Sequence, residues 1–226
     1  MTIIQSKGLY KSYDNEHERV DAVIDCNLQI EEGECVIIYG DKDSGKTTLL
    51  NLLGGFERPT SGMVYLNQHN LTAYSDDQLA VLRRKEIGYL FQKDSLIPEM
   101  TVYENILIPV ALAKSKLDKD YFDMLVYQLH LTGVLSCYPR QLTTNQFQCA
   151  TFARALINNP SVILADEPTE HLYVNIAMDV IGLLKQMVRI LRKTLVITSQ
   201  DSEISEMANH IIRLQNGYVV EDNRIG

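Results

Sequence analysis

Tryptophan is absent from the chain, and its four cysteines (Cys26, Cys35, Cys137, Cys149) are scattered without a C-x-x-C pair. Such spacing offers no paired-thiol or zinc site and fits reduced thiols in a core. The histidines His17, His69, His130, His171 and His210 share no metal-ligand spacing either. Positive charge is scarce: 21 Lys and Arg stand against 29 Asp and Glu, a net charge of −8. No basic stripe is available to replace the counterions of a phosphate backbone, so a nucleic-acid partner is not expected. No apolar run approaches the roughly 20 residues of a membrane helix. Met1-Thr2-Ile3-Ile4 reaches Lys7 and Lys11 without the apolar stretch of a signal peptide. The chain is therefore not expected to span a membrane itself. Internal repeats and low-complexity tracts are also missing. What remains, 226 residues of which 46% are hydrophobic, suffices for one large α/β core.

The most informative stretch is Gly40-Asp41-Lys42-Asp43-Ser44-Gly45-Lys46-Thr47-Thr48. It fits G-x-x-x-x-G-K-[ST], directly after the apolar run Cys35 to Tyr39 and directly before a helical apolar pattern that runs to Leu53. A strand, a glycine-bounded loop and a helix in that order make a phosphate loop. Its backbone N–H groups are expected to wrap a β-phosphate, with the positive end of the helix aimed at it. Lys46 then reaches the β- and γ-phosphates, and the Thr47 hydroxyl holds Mg²⁺.

Around this loop, hydrophobic periodicity gives a first strand through Ile3-Ile4 and Gly8 to Tyr13, and a second over Val23 to Ile30. A short strand Met63 to Leu66 follows, then a helix from Ser75, read as its N-cap, to Arg84. Ile87 to Gln92 is an apolar strand ending in an amide. Helical patterns then cover Thr101 to Ala113, Lys119 to Leu131 and Gln146 to Ile157. After Pro160, buried strands at Val162 to Ala165 and Leu195 to Thr198 flank a long helix, Leu172 to Arg192. A hairpin over Ile211 to Val220 closes the chain. The strand at 162–165 ends in Asp166-Glu167. There Asp166 is expected to orient Mg²⁺ through water, and Glu167 to polarise an attacking water. Gln92 is a further candidate for metal and water, and Tyr13 for stacking on an adenine face.

These segments together resemble the nucleotide-binding subunit of an ABC (ATP-binding cassette) transporter. The chain is most similar to the branch of lipoprotein-releasing and macrolide-export ATPases. The resemblance rests on Lys11-Ser12-Tyr13, Thr47 to Gly55, Arg58 to Gly62, Ile87 to Gln92, Leu96-Ile97-Pro98, Thr101 to Asn105, Ala153 to Leu156 and Leu164 to Thr169. It implies a P-loop NTPase of the ABC type with an N-terminal antiparallel β subdomain and an inserted helical subdomain. Residues 1–226 then form one ATPase domain, with an α/β core at 1–92 and 158–226 and the helical part at 93–157. The implied ligands are ATP and Mg²⁺, the latter held by Thr47, Gln92 and Asp166. The implied partners are a transmembrane permease subunit, at the inner face of the cell membrane, and a second ATPase subunit in a homodimer or a heterodimer. The apolar residues Phe91, Leu96, Ile97, Met100 and Tyr103 would line a groove for a cytoplasmic helix of the permease.

Several positions depart from the family pattern. Its signature L-S-G-G-Q aligns with Leu142-Thr143-Thr144-Asn145-Gln146, where both glycines are gone and Cβ atoms add bulk at a close approach. A basic residue after the signature aligns with Cys149. The G-N-L-D segment reads Glu170-His171-Leu172-Tyr173, and the switch histidine is Gln200, whose amide donates but carries no charge. Asp43 stands at a usual glycine of the phosphate loop. At roughly 6 Å and an effective dielectric of about 20, its carboxylate opposes a phosphate charge by ~3 kcal/mol. The pattern implies an ATPase whose hydrolysis is impaired, with Glu167, Gln200 and Gln92 as its catalytic set. The alternative is a non-hydrolysing module that docks on a membrane protein.

Overall fold

The computed structural model describes residues 1–14, 19–90, 96–169, 174–201 and 208–225. Its first strands are β1 (Thr2–Asp14), β2 (Arg19–Cys26), β3 (Gln29–Glu31) and β4 (Cys35–Tyr39), followed by helix α1 (Lys46–Leu53). Next come β5 (Ser61–Leu66), β6 (His69–Asn70), α2 (Asp76–Glu86) and β7 (Ile87–Leu90). Helices α3 (Val102–Ala113), α4 (Lys119–Gln128) and α5 (Thr144–Leu156) then separate β7 from its sheet neighbour β8 (Val162–Asp166). Finally, α6 (Val174–Leu191), β9 (Thr194–Ser199), β10 (His210–Gln215) and β11 (Tyr218–Arg224) complete the described residues.

Two sheets result. β2-β1-β5-β6, with β3 also on β1, is antiparallel; the second runs β11-β10-β4-β9-β8-β7 and is parallel except for β11. Strands of a parallel sheet are covered on both faces and read as continuous apolar runs, which is how β4, β8 and β9 appear in the sequence. Their side chains alternate between faces. Val36, Ile38, Val162, Leu164 and Val196 pack with Leu49, Leu50, Leu52 and Leu53 of α1 and with Ile3, Ile4 and Leu9 of the antiparallel sheet. Ile37, Ile163, Ala165, Leu195 and Ile197 face the other way, onto Phe152 of α5 and Ile181 and Leu184 of α6. Helix α1 is thus held between the two sheets.

Helix ends follow their local chemistry. Ser75 and Thr101 cap α2 and α3 in reciprocal capping boxes with Gln78 and Glu104. The segment expected as one strand over Val23 to Ile30 is broken at Asn27-Leu28. There the Ser6 hydroxyl donates to Cys26 O and accepts the Leu28 N–H, while Asn27 Oδ1 accepts the Gly8 N–H. Helix α4 stops at Gln128 rather than Leu131. His130 takes a left-handed φ of 55°, and Leu131 N–H bonds back to Val126 O, closing a Schellman turn. At the far edge, fully buried His210 sits between Glu34 Oε2 (3.0 Å from Nδ1) and Asp222 Oδ1 (2.6 Å from Nε2). Arg224 Nε donates to the other Glu34 oxygen at 2.7 Å, tying the last hairpin to the entrance of β4.

Candidate functional site

The carboxyl ends of β4, β8 and β9 lie side by side, which is where open parallel sheets bind ligands. From β4 the chain enters the phosphate loop. Gly45 has φ 99°, and a Cβ there would lie 2.0 Å from Ala22 O, so both conformation and space demand glycine. Helix α1 starts at Lys46 with no side-chain cap and no acid in its first turn, leaving its N-terminal N–H groups available to an anion. Ser44 Oγ is buried and has no hydrogen-bond partner among the described residues. An orphaned hydroxyl beside uncapped N–H groups fits the binding of a phosphate.

Lys46 is 3% exposed. Its ammonium donates to Gly40 O and Asp41 O, each at 2.8 Å, and lies 3.4 Å from Glu167 Oε1. Across the sheet, Asp166 is in register with Thr198, and both point to the face that carries α1. Asp166 Oδ1 accepts from Thr47 Oγ1 at 3.0 Å and from Thr198 Oγ1 at 2.8 Å. The Glu167 N–H in turn donates to Thr198 Oγ1 at 2.9 Å. Glu167 itself has φ 43°, a left-handed conformation rare for a non-glycine residue. Its Oε2 accepts from Gln200 Nε2 at 2.6 Å. Oxygens from exposed Thr47 and buried Asp166 form a hard donor set that suits Mg²⁺.

A cavity of about 610 Å³ brings together Tyr13, Lys42, Asp43, Ser44, Gly45, Lys46, Thr47, Thr48, Glu167 and Gln200. Tyr13 Oη donates to Glu57 Oε2 at 2.8 Å, and Lys11 Nζ lies 4.9 Å from its ring centre. Burial, reinforced by Glu57, pushes the Tyr13 phenol up from its ordinary value. Asp43 has φ 62° and is exposed, with no ion pair to Lys42 among the described residues. Water around it weakens the expected repulsion of a phosphate. Gln92 falls outside the described residues, as do Phe91, Tyr173, His17 and His171.

Residues that the sequence did not single out also shape the site. Val20, Asp21 and Ala22 of β2 and Asn216-Gly217 between β10 and β11 form one wall. The Asn-Gly pair was legible as a hairpin turn but not as part of a cavity. Thr198 left no signal, because a β-branched residue in Leu195-Val196-Ile197-Thr198 reads as ordinary strand.

The signature segment is elsewhere. Leu142 to Gln146 do not line this cavity. Thr143 caps α5 in a capping box with Gln146, so the helix begins at Thr144, two residues before the periodic pattern. Thr144 and Asn145 are exposed, and neither has a positive φ. Asn145 therefore makes no use of its tolerance for left-handed backbone, and what glycine would supply here is room. Cys149, aligned with a basic residue of the family, is buried, and burial pushes its thiol up. Leu96 belongs to the core, whereas Ile97, Met100 and Tyr103 are exposed. Ile97 lines a groove of about 540 Å³ with Phe56, Tyr89, Ile108 and Leu112. Arg83, in the last turn of α2, donates to Gly55 O at 2.6 Å and lies over the Phe56 ring. Another cavity, of about 640 Å³, is rimmed by Arg84, Lys85, Lys114 and Lys116 and contains none of the phosphate-site groups.

A phosphate loop at the end of a central parallel strand, beside an Asp-Glu pair on the next strand but one, defines a P-loop nucleotide-binding domain. The chain belongs to the ABC transporter family, whose model matches residues 23–170. It is 31% identical to the lipoprotein-releasing system ATP-binding protein LolD of Saccharophagus degradans, covering 95% of each chain. It is 32% identical to the bacitracin export ATP-binding protein BceA of Halalkalibacterium halodurans, over 97% of this chain and 87% of that one. With the macrolide export ATP-binding/permease protein MacB of Bdellovibrio bacteriovorus it shares 33% identity over 99% of its length, but spans only 34% of that relative. A dimeric bacterial ABC transporter cassette superposes with a TM-score of 0.87 at 33% identity, covering 99% of both chains. The same score is reached with a dimeric ATP-binding cassette bound to ADP and Pi. The chain is an ABC ATP-binding subunit near the lipoprotein-release and macrolide-export branch. No helix among its described residues is long and apolar enough to cross a membrane.

Proposed function

We propose that this subunit binds MgATP in the cavity at the ends of β4, β8 and β9, hydrolyses it slowly, and couples the cycle to a transmembrane permease at the inner face of the cell membrane. The observation that carries this reading is the convergence of Lys46, Thr47, Glu167 and Gln200 on one cavity of the size of a nucleotide site, with Asp166 bonded to Thr47 behind it. Thr47 and Asp166, with Gln92, hold Mg²⁺, which when bound neutralises phosphate charge. Lys46 turns from the Gly40 and Asp41 carbonyls to the phosphates, and Glu167 polarises the attacking water. Gln200 donates its amide without the charge of an imidazolium. The α/β core at 1–92 and 158–226 carries these groups, and the helical part at 93–157 presents Leu142 to Gln146 to a second ATPase subunit.

In a homodimer both composite sites combine Gln200 with Thr144 and Asn145. An asymmetric pair gives this phosphate loop a partner's signature, and we favour that arrangement. Steady-state ATPase of the purified chain, alone and as Glu167→Gln, tests the reading. Slow turnover lost in the variant supports it. Fast turnover by the chain alone counts against impairment. The engagement of both Glu167 oxygens, by Lys46 and Gln200, favours a second reading as a non-hydrolysing, nucleotide-dependent docking module. No turnover with any partner, alongside normal MgATP binding, would select it.

A further inference from the structure

We propose that Thr198 is the positioning residue of the carboxylate pair: its hydroxyl sets the orientation of Asp166 and the backbone of Glu167, and thereby the response of the site to Mg²⁺. This rests on the reading of Asp166 and Glu167 just given. Thr198 is fully buried on β9, directly after the apolar run Leu195, Val196 and Ile197. A valine would satisfy the packing there, since the two side chains have nearly the same shape. The hydroxyl is therefore the feature to be explained, because burying one without partners is costly.

Its partners are specific. Parallel register sets Thr198 opposite Asp166 on the α1 face, and Oγ1 donates to Asp166 Oδ1 at 2.8 Å. The same oxygen accepts the Glu167 N–H at 2.9 Å, at the residue whose φ is 43°. One hydroxyl thus uses both its proton and a lone pair on two consecutive residues of β8 and its exit. Among the described residues, the other donor to Asp166 Oδ1 is Thr47, whose hydroxyl is also assigned to the metal. Thr198 is the donor with no role assigned at the metal, so it keeps Asp166 oriented whichever way Thr47 turns. Hydrogen-bonded groups behind a metal's ligands commonly change affinity or activity by about 10–100-fold when removed.

The test compares Thr198→Val, which keeps the shape, with Thr198→Ser, which keeps the hydroxyl. Calorimetry measures ATP binding in EDTA and across a Mg²⁺ titration, and thermal unfolding is recorded for each protein. Thr198→Val should raise the half-saturating Mg²⁺ about 10–100-fold while leaving metal-free ATP affinity unchanged, and Thr198→Ser should return most of the loss. A Thr198→Val protein with the parent's Mg²⁺ response overturns the proposal. So does equal loss of metal-free and Mg²⁺-supported binding, which marks a role in stability alone, and so does failure of Thr198→Ser to rescue. If the parent binds no nucleotide at all, the ATP-binding reading falls and this inference with it. The EDTA arm on the parent keeps the two failures apart.

Discussion

Gln200 donates its side-chain amide to Glu167 Oε2 at 2.6 Å, so a neutral group holds the carboxylate proposed as the base. An amide does not titrate, whereas an imidazole with an ordinary pKa of about 6.5 changes charge across physiological pH. Gln200→His adds a donor whose charged form grows as pH falls. The ratio of variant to parent turnover should therefore rise between pH 8 and pH 6. A flat ratio in the pH–rate profiles would show that charge at this position does not matter.

Asp43→Gly removes a carboxylate from the phosphate cavity and relaxes a residue at φ 62°. Because Asp43 is exposed, the gain is modest, about 0.5–1 kcal/mol, on the scale of exposed charge pairs. Calorimetry should show MgATP binding tightened by a few-fold. Unchanged affinity would mean that the carboxylate turns its charge fully to water.

Thr144 and Asn145 occupy the first turn of α5 with exposed side chains. Replacing both by glycine should raise the ATPase of the chain at high concentration, about tenfold if ~1.4 kcal/mol of the barrier is steric. The accompanying loss of helix stability is roughly 0.5–1 kcal/mol per glycine and should appear as a lower unfolding midpoint. Adding Gln200→His should increase the gain. No gain from the triple change would move the defect to Tyr173 or to a missing membrane partner.

Glu34 is held by Arg224, His210 and the Glu31 N–H. Burial pushes its carboxyl up, but these hydrogen bonds outweigh it and leave the pKa below the ordinary 4.5. A carboxyl depressed in the folded state stabilises fully above 4.5, and the contribution fades as pH falls through the folded value. Glu34→Gln should cost about 2 kcal/mol at pH 7, the scale of a charge-assisted hydrogen bond. Chemical denaturation should show the gap narrowing on acidification below pH 4.5. A gap that stays constant with pH would assign the loss to packing.

Local chemistry explains which parts were legible beforehand. The phosphate loop carries its own glycines, lysine and hydroxyl within nine residues, and Ser75 and Thr101 announce their helices through partners three residues on. The break at Asn27-Leu28 depends on Ser6, some 20 residues away, and local periodicity has no access to it. Thr198 was hidden for the same reason, since its meaning comes from the strand beside it. The wall formed by Ala22 and Gly217 exists only once the two sheets are packed together.

The distribution of thiols has a practical outcome for measuring assembly. Cys26, Cys35 and Cys149 are buried, and burial raises the Cys26 thiol to about 12, so these three resist alkylation in the native fold. Cys137 is partly exposed and stands five residues before Leu142. A spin label attached to the unmodified chain therefore reports from the approach to α5, the surface that a partner subunit is proposed to meet. A homodimer labelled this way yields one interspin distance without any engineered cysteine. A complex with an unlabelled second subunit yields none, so the number of spins per particle reads the symmetry of the assembly directly.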